Sequence, residues 1–181
     1  MKHAIAAAGS FLVLMFSLQC YAQNQPQPAT LRSLLLHELH TTHTVADWFV
    51  PINVAVDGLT AEQASWQPPA GGHSAGQETY HLLFWNRRNL VKFQGGTNEK
   101  FGGDNEQTFV KFDSKQWSDT VKQLDQVMTD LEKLVESADE QKLASWAPTI
   151  ANICTHNAYH VGQIVYVRKL QGSWNPEKGV K

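Results

Sequence analysis

The sequence predicts an all-α protein, a four-helix bundle with long loops between helices 1 and 2 and between helices 2 and 3. Three observations predict it. Apolar residues recur in steps of three and four along four separate segments, the period of a helix with one buried face. No run alternates apolar and polar residues as a half-buried strand does, and no internal repeat is present. Residues suited to helix capping stand just ahead of three of the segments: Thr30, Ser74, and Asp113 or Ser114. A chain of 181 residues with a formal net charge of −2 is long enough for one domain with one core. It has no Lys/Arg block, which argues against a nucleic-acid partner.

Residues 1–22 read as a secretory signal peptide. Lys2 and His3 make a short basic start, Ala4 to Leu18 is almost wholly apolar, and Cys20-Tyr21-Ala22 places small residues at a cleavage site. The apolar run is short for a membrane span, which takes about 20 residues. Cleavage after Ala22 leaves no stable membrane anchor and predicts a secreted or periplasmic protein. Cys20 is also placed to carry a lipid, although Ser17-Leu18-Gln19 fits a lipoprotein signal poorly. Residues 23–29, with Pro26, Pro28 and a run of Gln, read as a flexible leader. With the signal removed, Cys154 is the single thiol left, so no internal disulfide is expected.

The bundle is expected over residues 30–172. Helix 1 spans about Leu31 to Val56, with Thr41, Val45, Trp48, Ile52, Ala55 and Leu59 on one face, a break near Val50 imposed by Pro51, and Gly58 past its end. A long connection follows, in which Thr60 to Gln63 can form one helical turn and Trp66 is the expected anchor. Helix 2 opens at Ser74, where Ser74 and Gln77 match a capping box, and runs to about Phe93. Thr97 to Phe112 is a second loop. Helix 3 starts after Asp113 or Ser114 and buries Trp117, Val121, Leu124, Met128, Leu131 and Val135. Helix 4 is expected from Thr149, after Pro148, to Leu170, with Gly172 ending it. Its inward seam is Ile150, Ile153, Asn157, His160, Ile164 and Val167. Residues 173–181 read as a surface tail.

Chemistry concentrates on helix 4. His156 and His160 are four residues apart, so both imidazoles reach one point on one face. A polar patch inside an apolar seam is costly unless its groups are paired, and a metal accepts the lone pair of a neutral imidazole. The same pair also reads as two half-exposed histidines bonded to water or backbone. His81, in the apolar stretch Tyr80-His81-Leu82-Leu83-Phe84-Trp85, offers a third inward ring. Three histidines with an open fourth position describe a catalytic type of site, and imidazoles suit Zn, Ni, Fe or Cu. His43 is a candidate fourth ligand or pocket residue beside His37 and His40, which read as a solvated helix face. Asn157, Tyr159 and Gln163 are accessory candidates for orienting substrate, assisting proton transfer and orienting a ligand. His73, in a Gly-rich loop, reads as structural or exposed. Cys154 lies about 200° around the helix from His156 and reads as a small packed residue. No phosphate-binding Gly loop and no Ser-His-Asp grouping stands out.

Several of these strings together carry a family resemblance. Gly58-Leu59-Thr60-Ala61-Glu62-Gln63-Ala64-Ser65-Trp66-Gln67-Pro68, Tyr80-His81-Leu82-Leu83-Phe84-Trp85-Asn86-Arg87 and His156-Asn157-Ala158-Tyr159-His160-Val161-Gly162-Gln163-Ile164 resemble the DinB/YfiT-like metal-binding bundles. The resemblance implies one divalent transition metal held by His81, His156 and His160. It further implies a homodimer and a small-molecule substrate. Activities known in the family include thiol-dependent S-transfer, maleylpyruvate isomerisation and metal-dependent hydrolysis. The export signal departs from the thiol chemistry, because low-molecular-weight thiols are chiefly cytosolic. Two functional readings follow: a metal-dependent hydrolase or thiol S-transferase, and a non-catalytic, metal-stabilised or stress-related binding module. A bundle that has lost its metal and serves as a scaffold is a third.

Overall fold

The structure is a computed structural model that describes residues 28–110 and 113–180. The chain divides into two units, Met1–Thr30 and Leu31–Lys181. Only an exposed coil at residues 28–30 is described in the first, so the signal peptide and nearly all of the leader lie outside the described residues. The second unit is helical, with no strand among the described residues: α1 (Leu31–His43), α2 (Ile52–Val56), α3 (Ala61–Ser65), α4 (Ala75–Phe93), α5 (Ser114–Ser137) and α6 (Glu140–Gln171), with short 3-10 turns at Asn105–Thr108 and Pro176–Lys178. The long helices α1, α4, α5 and α6 form a four-helix bundle. Its main contacts run α1–α5, α5–α4, α4–α6 and α6–α1, which sets α1 opposite α4 and α5 opposite α6.

The α5 stripe shows why the bundle closes. Asp113 caps the helix reciprocally with Gln116, and Trp117, Leu124, Met128, Leu131 and Val135 all fall in the core. The Trp117 indole N–H donates to the Leu59 carbonyl at 3.0 Å, which ties the connection after α2 to the bundle. At the start of α4, Ser74 and Gln77 form the expected capping box. Thr60 and Gln63 form another at α3. Trp66 at the end of α3 is half-buried against the core, while Ala64 is the residue of that turn fully enclosed.

Helix 1 differs from expectation. It stops at His43, well before Val50, and the chain leaves helix until Pro51 caps α2. Two causes act together. The Thr41 and Thr42 hydroxyls donate to the Glu38 and Leu39 carbonyls, in competition with the main chain. Pro51 holds the preceding residue extended. Val45 and Trp48, expected on a buried face, are therefore exposed, Trp48 by 91%. Gly58, at φ +75°, makes the turn after α2 that a side chain would strain.

Helix 4 differs in the opposite direction. It begins at Glu140, capped by Asp139, and carries Pro148 in its interior. The missing N–H leaves the Ala144 carbonyl without its helical donor, at a cost of about 3 kcal/mol. Leu143 and Ile150, fully buried on either side, and Trp146, stacked on Phe93 at 4.8 Å, hold the helix together across the proline. The inward seam is as expected, and Gly172 ends the helix at φ +78°. The tail is pinned and does not run free. Buried Arg168 donates to the Ala55, Asp57 and Ser173 carbonyls and lies over Trp174, and Lys178 pairs with Asp57.

Candidate metal centre

His81 faces inward from the second turn of α4, and His156 and His160 lie one turn apart on α6. The packing of α4 against α6 brings one nitrogen of each ring within 4.8 Å of the others. His81 Nε2 and His156 Nε2 are 3.1 Å apart. Nitrogens bound to one tetrahedral ion at 2.0–2.1 Å sit about 3.3 Å from each other, so the spacing suits a shared ion.

The other ring nitrogens are held by the protein. The Thr108 hydroxyl donates to the Asn105 carbonyl at 2.6 Å, so it accepts from His81 Nδ1–H, at 2.5 Å. His160 Nδ1–H donates to Glu78 Oε2 at 2.6 Å, and that carboxylate is itself buried. Both rings are thereby set in the tautomer that leaves Nε2 as a lone pair aimed at the common point. Burial, followed by the neighbouring His160, His156 and His73 rings, pushes the His81 pKa down to about 3. Burial and His160 push His156 down to about 4. Neutral imidazoles at physiological pH are what a metal requires. The buried Gln163 Oε1 beside them has no hydrogen-bond partner, a polar atom that a bound group would satisfy. The donor set and its surroundings fit a divalent transition ion.

The three rings form one wall of an open cavity of about 730 Å³. Phe109 stacks on His81 at 4.2 Å and on His73 at 3.6 Å, covering the His81 ring. His73 lies with Nδ1 3.5 Å from Glu78 and Nε2 3.1 Å from Glu106. It is a wall residue of the site, where its Gly-rich setting had suggested only a structural or exposed position. Glu78, Thr108, Phe109 and His73 are the residues sequence reasoning missed. One signal was available: Glu78 lies three residues before His81 and so shares its helix face.

The accessory candidates separate. Tyr159 and Gln163 line the cavity, with Tyr159 edge-on to His160 at 5.0 Å. Asn157 does not line it. It is fully buried, accepts from Asn86 Nδ2 at 2.8 Å and points its own amide at Met128 Sδ, so it is a core residue joining α6 to α4 and α5. His43 is also apart from the cluster. Its ring is buried against α5, with Nδ1 2.8 Å from Glu132 and Nε2 3.1 Å from Asp125. Both nitrogens are engaged by carboxylates, which leaves none to serve as a fourth ligand. His37 and His40 are largely solvated, as expected of that helix face. Cys154 is buried and its thiol is pushed up to about 12, chiefly by burial.

An all-α bundle with three converging imidazoles beside an open cavity defines the class: a helical bundle with three histidines positioned to hold a metal ion. The comparison with known families places it further. The DinB superfamily matches residues 52–164, more than half of the chain and a span that includes all three histidines, and the chain belongs to that superfamily. No curated protein and no solved structure gives a significant match.

Proposed function

We propose that this chain is an exported, metal-dependent hydrolase that holds one divalent transition ion (Zn, Ni, Fe or Cu) on the Nε2 atoms of His81, His156 and His160. The observation that carries the reading is the fixed tautomer of His81 and His160, set by Thr108 and Glu78 so that two lone pairs point where His156 also points. When bound, such an ion supplies Lewis acidity, polarising a carbonyl and lowering the pKa of water toward about 7.

The residues of the chain do the rest. Glu78 keeps the Nδ1 proton of His160 in place, and Thr108 does the same for His81. The Phe109 ring excludes water from one face of His81. His73, between Glu78 and Glu106 on the cavity wall, is the group best placed to hold a proton near the reacting substrate. Hydrolysis is favoured over thiol transfer by the reading of residues 1–22 as an export signal. The alternative, a non-catalytic module stabilised by its ion, predicts a closed fourth position; the open cavity beside the cluster supports the enzyme.

The test is elemental analysis of the native protein together with esterase and thiol-transfer panels. One ion per chain and turnover that disappears with the metal in His156→Ala support the proposal. Substoichiometric metal, unchanged in His160→Ala, overturns it. Full occupancy without turnover in either panel leaves the binding module.

A further inference from the structure

The cavity is chemically uneven. Its metal end carries the three imidazoles and two carboxylates, Glu78 and Glu106, and no Lys or Arg lines it anywhere among the described residues. The two carboxylates thus offset the charge of a divalent ion, and the lining holds no fixed cation to receive an anionic substrate. Facing a carboxylate or phosphate tail, this wall offers only like charge and neutral amides.

Away from the ion the lining turns neutral and polar. Thr149 and Asn152 lie on α6 two turns and one turn before His156, and Asn89 lies two turns after His81 on α4. At 1.5 Å per residue, these groups sit about 6–12 Å along the helices from the nearest histidine. The Asn89 and Asn152 amides make no side-chain hydrogen bond among the described residues. Each offers both a donor and an acceptor. Trp85 and Tyr159 add flat apolar faces to the same wall, Tyr159 being 64% exposed. Amides that both give and receive, next to aromatic planes and without cations, complement hydroxyl groups, which also give and receive, carried on a framework with apolar C–H faces.

Resting on the metal-hydrolase reading above, we propose that the cavity takes an uncharged, hydroxyl-rich substrate of sugar type, with the polyhydroxy part held by Asn89, Asn152 and Thr149 and the scissile group at the histidines. Anionic substrates of the same length are rejected by the carboxylates.

Three six-carbon hydroxamic acids share one metal-binding head and differ in the tail: gluconohydroxamic acid, hexanohydroxamic acid and the monohydroxamate of adipic acid. Each is titrated calorimetrically into the zinc-loaded full chain. The polyol is expected to bind about tenfold tighter than the other two, the gain from one or two added hydrogen bonds. Asn89→Leu and Asn152→Leu are expected to lower polyol affinity and to leave hexanohydroxamate affinity where it was; thermal melts confirm folding, and Asn152→Ser, at an exposed position, provides a milder variant. Adipic monohydroxamate binding as tightly as the polyol overturns the proposal, and so does polyol affinity indifferent to the Asn substitutions. If none of the three binds the zinc-loaded chain, the metal reading itself fails and the substrate assignment falls with it.

Discussion

Glu78→Gln isolates the contribution of the buried carboxylate behind His160. The substitution keeps the shape and keeps an oxygen that can accept the Nδ1 proton, the nitrogen lying 2.6 Å from Oε2. What disappears is the negative charge that raises the basicity of the opposite ring nitrogen. Loss of such a partner weakens metal binding about 10–100-fold. Because the hydrogen bond survives here, the lower end applies, about tenfold or 1.4 kcal/mol. Ligand linkage turns this into a smaller thermal gain on adding zinc, by roughly 3–6 °C for a domain of this size. Glu78→Ala, which also orphans the His160 N–H, is expected near the hundredfold end. Zinc affinity is measured by competition with a chromophoric chelator, and melting temperature with and without zinc. Equal zinc affinity in wild type and Glu78→Ala would refute the claim that this carboxylate orients and polarises the ligand.

Other outcomes follow from residues outside the metal cluster. Asn157→Ala leaves the buried Asn86 amide unpaired and is expected to cost about 1–3 kcal/mol in urea denaturation while zinc affinity stays unchanged. At His43, burial alone would lower the pKa, but Glu132 and then Asp125 outweigh it and raise it above 6.5. Asp125 is lowered below 3.8, first by Asn53 and also by His43. The raised group stabilises fully below pH 6.5 and its contribution fades as pH rises through the folded value; the lowered group stabilises above pH 3.8 and fails as pH falls below it. The melting-temperature gap between wild type and His43→Gln should therefore be widest near pH 5–6 and shrink above pH 7, reflecting about 1–3 kcal/mol that comes mainly from the Glu132 contact, since Asp125 is half exposed. The Cys154 thiol, pushed up to about 12, should resist Ellman's reagent at pH 8 in the folded protein and react fully once urea unfolds it.

Local physics made much of this molecule readable from its sequence. The α4 and α5 boundaries depend on capping pairs three residues apart, and the α5 core stripe depends on helical period alone. The convergence of His81 with the His156–His160 pair was readable for a related reason: each ring lies on the apolar side of its own helix, and two such sides must meet. The failures have one cause. Thr108 and Phe109 reach His81 from 27 and 28 positions away, on a loop without periodicity. His43 looked like a ligand because its proximity to Glu132 and Asp125 is set by how α1 packs on α5. At Pro148 the local rule was sound, but packing by Trp146 and Leu143 overrode it.

The stretch between α4 and α5 has a consequence for how the centre is assembled. Thr108 sets the proton on His81 and Phe109 roofs the same ring, and the two are adjacent in sequence. Whatever displaces that short segment takes away the tautomer lock and the roof together. Readiness for the ion and closure of the loop are therefore a single condition, and substitutions in residues 105–109 should be felt at the histidines even when no altered side chain touches them.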